Sequence, residues 1–456
     1  MDPHGAGSLI RRFIERVVDF APGEFGPAVL SALYFFCLLF GYFMLRPLRN
    51  ALGLEHGVDS LQVLFLITLG VMVIANLAFG FVASRLERRV FVPLVYGFAV
   101  LCIGVFLAIF LVRGDDRSAL VGQVFYVWLS VFNLFAVTVF WGFMADIFRR
   151  EQGKRFFGFI GVGGTAGAIC GSAWSLALAD TLGPTGLFGC AMLCVAMAGA
   201  IAIALDRMAE RRSMIGHADE GEPPPRIGGA SWEGIRDVAR SPYLMGIAVY
   251  VGLFTVLSTF LYFEKARIVE ALTTETDSRV QVYAGIELGG QMLTIVLQLF
   301  ITGRLMRLLG VGTLLAVVPA VTVIGFVGLA AVPSLLVIAV FEASRRASNH
   351  ALSKPARETL FTVVPRAEKY KAKSFIDTFV YRGGDAVGTL ADRGIASLGV
   401  TVAWVAVPLA AGALLLSFWL GRREELTPDA IARMPPDPAT TKPLADAPQP
   451  MATTTP

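Results

Sequence analysis

Twelve apolar runs of about 20 residues set the terms for any fold this chain can adopt. They lie at roughly 28–45, 60–83, 91–112, 119–143, 156–179, 185–205, 243–263, 280–302, 311–330, 333–352, 374–392 and 396–420. An α-helix of that length crosses the hydrocarbon core of a bilayer. Barrel strands would be about ten residues long and alternate in polarity, so run length predicts helices. The 456 residues are 55% hydrophobic and 16% charged, with mean hydropathy +0.66, which excludes a soluble globular domain. The reading is an all-α membrane protein with twelve transmembrane helices.

Lys and Arg are distributed unevenly between the connections. Those after even-numbered runs hold 21, among them Arg85, Arg88 and Arg89, then Arg149, Arg150, Lys154 and Arg155, then Arg304 and Arg307. Those after odd-numbered runs hold 8. The positive-inside rule therefore predicts cytoplasmic N and C termini. This bias accounts for the net charge of +4, so the charge gives no ground for a nucleic-acid partner. Cys37, Cys102, Cys170, Cys190 and Cys194 lie in apolar runs without metal-ligand spacing and read as small core hydrophobes. Neither a metal nor a cofactor is expected.

The longest polar interruption, 206–241, contains Pro223-Pro224-Pro225 and Gly228-Gly229 and divides the runs into six plus six. The expected organisation is a cytoplasmic N-terminal segment over 1–27, a six-helix half over 28–205, a linker over 206–241, a second half over 242–420 and a disordered tail over 421–456. Within the first segment, Leu9, Ile10, Phe13 and Val17 form one apolar stripe, the pattern of an interfacial helix. No cleavable signal peptide is expected. Trp232–Arg240 reads as a short surface helix before the seventh run.

A weak repeat relates the halves. Gly163-Gly164-Thr165-Ala166 corresponds to Gly383-Gly384-Asp385-Ala386, and Arg46 and Arg49 fall opposite Lys265 and Arg267. Two pseudo-symmetric six-helix halves are the architecture of the major facilitator class. Gly80-Phe81-Val82-Ala83-Ser84-Arg85-Leu86-Glu87-Arg88-Arg89 resembles that class's loop signature between spans two and three, with Gly303-Arg304-Leu305-Met306-Arg307 as its counterpart.

Charge inside membrane segments is costly and marks substrate or ion pathways. Positions i, i+4, i+7 and i+11 share a helical face. Glu287, Gln291, Thr294 and Gln298 have this spacing in the eighth run; Glu342, Arg346, Asn349 and Ser353 have it in the tenth. Tyr42, Arg46 and Arg49 share a face in the first, and Asp377, Tyr381 and Gly384 in the eleventh. Candidate substrate-binding residues are therefore Arg46, Arg49, Tyr42, Gln291, Arg346, Asn349, Tyr381 and Arg382. Candidate coupling carboxylates are Glu287, Asp377 and Asp385. The competing roles are pairing between the halves for Glu342 with Arg345 or Arg346, and snorkelling to the interface for Arg46 and Arg49.

Residues 35–50, ending Leu45-Arg46-Pro47-Leu48-Arg49-Asn50, resemble the first span of the ATP/ADP translocases of plastids and intracellular bacteria, which carry Leu-Arg-Asp-x-Lys-Asp there. Lys371-Ala372-Lys373 followed by Ile376-Asp377 and Arg382 resembles their eleventh-span segment. The resemblance implies nucleotide-phosphate contacts from a basic residue at Arg49. The second basic position of that family falls on Asp385, and Pro47 and Asn50 replace its first-span aspartates. A cavity with a carboxylate in place of a cation holds a tetra-anion less well.

The expectation is a secondary transporter, not an enzyme, moving a small organic anion such as a nucleotide or phosphate ester by alternating access. A proton-coupled carrier of a non-nucleotide solute and a lipid-headgroup flippase are the alternatives. Expected partners are the anionic substrate and membrane lipids, with the chain acting as a monomer. Frequent Ala, Gly and Arg without a transit peptide point to a bacterial inner membrane.

Overall fold

The computed structural model describes residues 23–432 apart from 84, 115–117, 149, 216–232, 299, 301–304, 306–307 and 365. The interfacial helix expected over 8–20 lies outside the described residues. Those described are helical, without a strand. The first half comprises α1 (Phe25–Gly53), α2 (Gly57–Ala83), α3 (Arg88–Arg113), α4 (Ala119–Ile147) and α5 (Arg150–Ile215). A break at Gly183, with φ +58°, divides α5 just before Pro184. Glycine tolerates that left-handed backbone without a Cβ clash.

After the short α6 (Glu233–Arg240), the second half contains α7 (Pro242–Leu272), α8 (Thr276–Leu297) and α9 (Val311–Ala331). The polar tenth run is α10 (Leu335–Ser348), a π-helical segment Asn349–Ser353, and α11 (Lys354–Leu360). The eleventh is α12 (Arg366–Phe375), a second π-helical segment Ile376–Val380, and α13 (Tyr381–Ser397), followed by α14 (Ala403–Ala432). Nine helices among the described residues are long and apolar enough to cross a membrane, α5 being counted once and both polar runs left out. Exposed Ile74, Leu77, Leu111, Val112, Leu336, Trp404 and Leu415 give this multi-pass protein its lipid-facing surface.

Three observations modify the sequence boundaries. Helix α5 runs past 205 to Ile215, because its last turns are built of good helix formers, and α14 remains helical to Ala432, well into the expected tail. The π-helical segments interrupt the regular spacing of the tenth and eleventh runs. Ser353 consequently meets the Tyr250 hydroxyl at 3.0 Å inside the second half, away from the charged face of α10.

Each half has its own core. In the first, Phe35 stacks on Phe140 with ring centroids 4.1 Å apart, and Tyr34 meets Tyr96 and Phe140. The second is built around α7, α9, α10 and α14. There Pro319 removes the N–H that would bond the Leu315 carbonyl, and the Tyr250 hydroxyl donates to that carbonyl instead, at 3.0 Å. A smaller core joins the halves where α1 passes into α2: Leu54, Val58, Leu61, Leu64 and Tyr126 meet Phe263, Ala266, Val269 and Tyr283.

Glycines set the closest helix contacts. A Cβ at Gly163, Gly167 or Gly171 would lie 2.3–2.4 Å from the carbonyl oxygens of Ala32, Phe36 and Phe40, so α5 packs backbone to backbone on α1. The second half repeats the relation, with Gly384 and Gly388 against Thr255, Val256 and Thr259 of α7. Such small-residue faces let membrane helices approach closely. Gly167→Ala is expected to destabilise the protein by about 1–3 kcal/mol. Gly189→Ala, where a Cβ meets nothing within 4 Å, is expected to be neutral or slightly stabilising. Thermal unfolding of both variants in detergent checks the contrast.

Candidate functional site

Five charged side chains from four helices form one alternating row between the halves. Lys265 Nζ on α7 lies 2.8 Å from Glu342 Oε2 on α10. Glu342 Oε1 accepts from Arg346 Nη2 at 2.7 Å, one helical turn along α10. Arg346 Nη1 also donates to Glu287 Oε1 on α8, and the same oxygen accepts from Arg46 Nη1 on α1 at 2.8 Å. Gln291 Nε2 adds a longer contact to Glu287 at 3.4 Å. The Arg46–Glu287 bond is the member of the row that crosses from one half to the other.

Local structure explains the geometry. Gly290 on α8 leaves room for Arg346, whose Cδ would sit 3.4 Å from a Cβ there. Pro47 in α1 leaves the carbonyl of Phe43 without its helical donor, and the Arg46 guanidinium lies over the Phe43 ring at 5.4 Å. Glu287 is 5% and Lys265 5% exposed, so their charges sit in a poorly solvated layer and interact strongly.

Arg49 is held without a carboxylate. Its Nη1 donates to Ser130 Oγ at 3.0 Å, its Nη2 to Asn50 Oδ1 at 2.7 Å, and its guanidinium stacks over Tyr126 at 4.8 Å. The Tyr126 hydroxyl meets the Tyr262 hydroxyl of the other half at 2.9 Å. Arg345 is 8% exposed and, among the described residues, also lacks a carboxylate contact. It donates to the Phe254 carbonyl at 3.1 Å and to Ser258 Oγ, while its Nε is buried with no acceptor. At this level Arg46, Arg49, Lys265, Arg345 and Arg346 face Glu287 and Glu342, leaving a surplus of positive charge.

The structure thus brings Arg46, Arg346, Gln291 and Glu287 together, with Arg49 on the same helix as Arg46 and Tyr42 buried one turn before it. Asn349 opens the π-helical segment after α10. The candidates of the eleventh run belong to other pairings. Asp377 lies 3.7 Å from Arg357, within the second half. Asp385 is buried against α7, with Thr259 Oγ1 at 3.4 Å and Arg382 Nη1 at 3.5 Å. Tyr381 lies beside Phe254 and Arg382. The sequence reading named one face of the eleventh run, but the π-helical turn at Ile376–Val380 and the glycine contact with α7 rotate these residues out of the central row. Lys265 and Glu342 were not among the candidates, although the match of Lys265 to Arg46 in the repeat was the signal for the first.

Removing one partner of a buried ion pair strands the other charge. Glu287→Gln is expected to cost about 3–5 kcal/mol of stability, and the double change with Arg46→Gln to show a coupling of about 1–3 kcal/mol. A double-mutant cycle by chemical unfolding checks this. Additive effects would mean that the two side chains do not act on each other.

Comparison with known proteins follows the same architecture. No curated protein is a sequence match. Among solved structures, the POT family transporter PepTSo superposes with a TM-score of 0.59 at 15% identity, covering 90% of this chain and 99% of its own. An auto-inhibited POT family peptide transporter gives 0.57 at 16% identity, covering 90% and 97%. The nucleoside transporter NupG gives 0.57 at 10%, covering 86% and 98%. At these identities the likeness concerns the fold. The family model described as Major Facilitator Superfamily matches residues 32–347, more than half of the chain, and the protein belongs to that superfamily.

Proposed function

We propose that this protein is a secondary transporter of a small organic anion, alternating access to a site between its halves. The observation that carries the reading is the surplus of buried and half-buried cations around Glu287 and Glu342, with Arg49 left without a carboxylate among the described residues. A poorly solvated guanidinium without a counter-ion is costly, and an anionic cargo supplies one. Arginine forks suit carboxylate and phosphate oxygens in particular. Glu287 is the coupling group in this reading, because its one oxygen ties Arg46 of the first half to Arg346 of the second. A proton or a cargo anion that competes for these arginines loosens the halves.

The reading has twelve crossings: the nine apolar helices, a second crossing from the broken α5, and the two polar runs. Both termini are cytoplasmic, so the end where α1 passes into α2 is the outer one, and the membrane is a bacterial inner membrane. The cargo is a phosphate ester or carboxylate. The likeness to ATP/ADP translocases supports nucleotides as the first class to test, with weak exchange of ATP itself, since Asp385 stands where that family carries a cation. A second reading, a lipid-headgroup carrier, draws on an apolar groove of about 460 Å³ between α9 and α10, lined by Ile324, Leu336, Val340 and Phe341.

Proteoliposome uptake of a labelled nucleotide, phosphate-ester and carboxylate panel, with and without a pH gradient, decides among these. Arg49→Gln is expected to lower uptake of the accepted anion by roughly 10- to 100-fold, the worth of a charged hydrogen bond. Its fold should be retained, because Arg49 closes no ion pair. Uptake at the native level in Arg49→Gln would remove the anion site from this position.

A further inference from the structure

The central row is not the deepest charge at the interface. Asp392 on α13 is 0% exposed, and Gln62 on α2 is 1% exposed. Gln62 Nε2 donates to Asp392 Oδ2 at 2.7 Å, linking the first half to the second. The same Oδ2 accepts from Arg267 Nη2 on α7, and Arg267 Nη1 lies 3.0 Å from Glu264 Oε2. Around them is the small apolar core that joins the halves, with Leu61 and Leu64 on one side and Phe263 and Ala266 on the other.

The two bonds to Asp392 differ in kind. The Arg267–Asp392 pair lies wholly within the second half, between helices that Gly384 and Gly388 hold backbone to backbone. The bond across the halves comes from a neutral amide. It is also incompletely matched: Asp392 Oδ1 and Gln62 Oε1 are both buried acceptors without a donor. Unsatisfied buried acceptors destabilise the arrangement that contains them. A contact that is specific, directional and weakened in this way suits a closure that must reopen.

We propose that Asp392 is the gate residue of the outer end: its bond to Gln62 holds the halves together there and breaks when they part, while Arg267 keeps the carboxylate aimed in both states. This extends the alternating-access reading given above and rests on it. Contacts nearby, Tyr126 with Tyr262 at 2.9 Å and Arg279 Nη1 on the Leu54 carbonyl at 3.2 Å, complete the closure. Among the described residues Asp392 bonds to Gln62 and Arg267, and no charge of the first half is bonded to it, so parting the halves strands no ion pair at this point.

The test is a disulfide between Glu55→Cys and Thr276→Cys, introduced together, since these side chains face one another across the same end at 3.5 Å. The rate of cross-linking under mild oxidant, in the full chain in liposomes, reads how long this end stays closed. Each single-cysteine variant controls for the five native thiols. Gln62→Leu, which keeps volume but removes the amide, is expected to slow cross-linking at least fivefold. Gln62→Glu, which sets a carboxylate against Asp392, should slow it further, and Asp392→Asn should slow it as well. If Asp392→Asn fails to fold, the two Gln62 variants carry the test from the other half. Native cross-linking rates in both Gln62 variants overturn the proposal. If Arg46→Gln nevertheless slows the reaction, only the latch falls. If no variant changes it, Arg46→Gln included, the halves do not part at this end and the alternating-access reading falls with it.

Discussion

The bond between Arg46 and Glu287 is the constraint around which the rest is arranged. Glu287 is a buried carboxylate that two arginines from different helices must share. In a poorly solvated layer neither charge is tolerated alone. Each further member of the row therefore follows from the one before: Arg346 needs a second acceptor and has Glu342, and Glu342 needs a second donor and has Lys265. The helices that carry these groups are thereby fixed in rotation as well as in position. The row is a registration device for four helices and, in the reading proposed above, the place where an anion or a proton disturbs that registration.

Rigidity is distributed unevenly around this row. Within each half, glycine faces let α5 and α13 lie against the backbones of α1 and α7, leaving little room for sliding. Between the halves the contacts include a shared carboxylate, a tyrosine pair, an amide, the Arg279 bond to the Leu54 carbonyl and a modest apolar core. The π-helical segments at Asn349–Ser353 and Ile376–Val380 interrupt the two polar runs at places where a regular α-helix would have carried one face straight through.

Much of this was legible in the amino-acid order. Apolar run length marked the nine long apolar helices found among the described residues, and the glycines at 163, 167, 171, 384 and 388 marked the close contacts, because a missing Cβ has the same meaning in any helix. The faces of Arg46, Glu287 and Arg346 could be read from spacing. Their neighbours could not. Spacing tells which side of a helix a residue occupies but not which helix lies opposite, so the contacts of Lys265 with Glu342 and of Gln62 with Asp392, 330 residues apart, had no local signature. Asp377 and Asp385 were misplaced relative to the row for a related reason. A single π-helical turn changes the direction of everything beyond it, and no residue type announces one.

The imbalance of charge in the central layer has an electrical consequence. Five cations are set against two carboxylates in this cluster, which therefore carries net positive charge. A voltage of 100 mV is worth about 2.3 kcal/mol for each elementary charge carried fully across. In the reading proposed above, an anionic cargo cancels part of that charge, so the loaded form is the less voltage-sensitive of the two. The resting potential then acts, in that reading, chiefly on the return of the empty carrier, and turnover becomes a matter of current as well as of concentration.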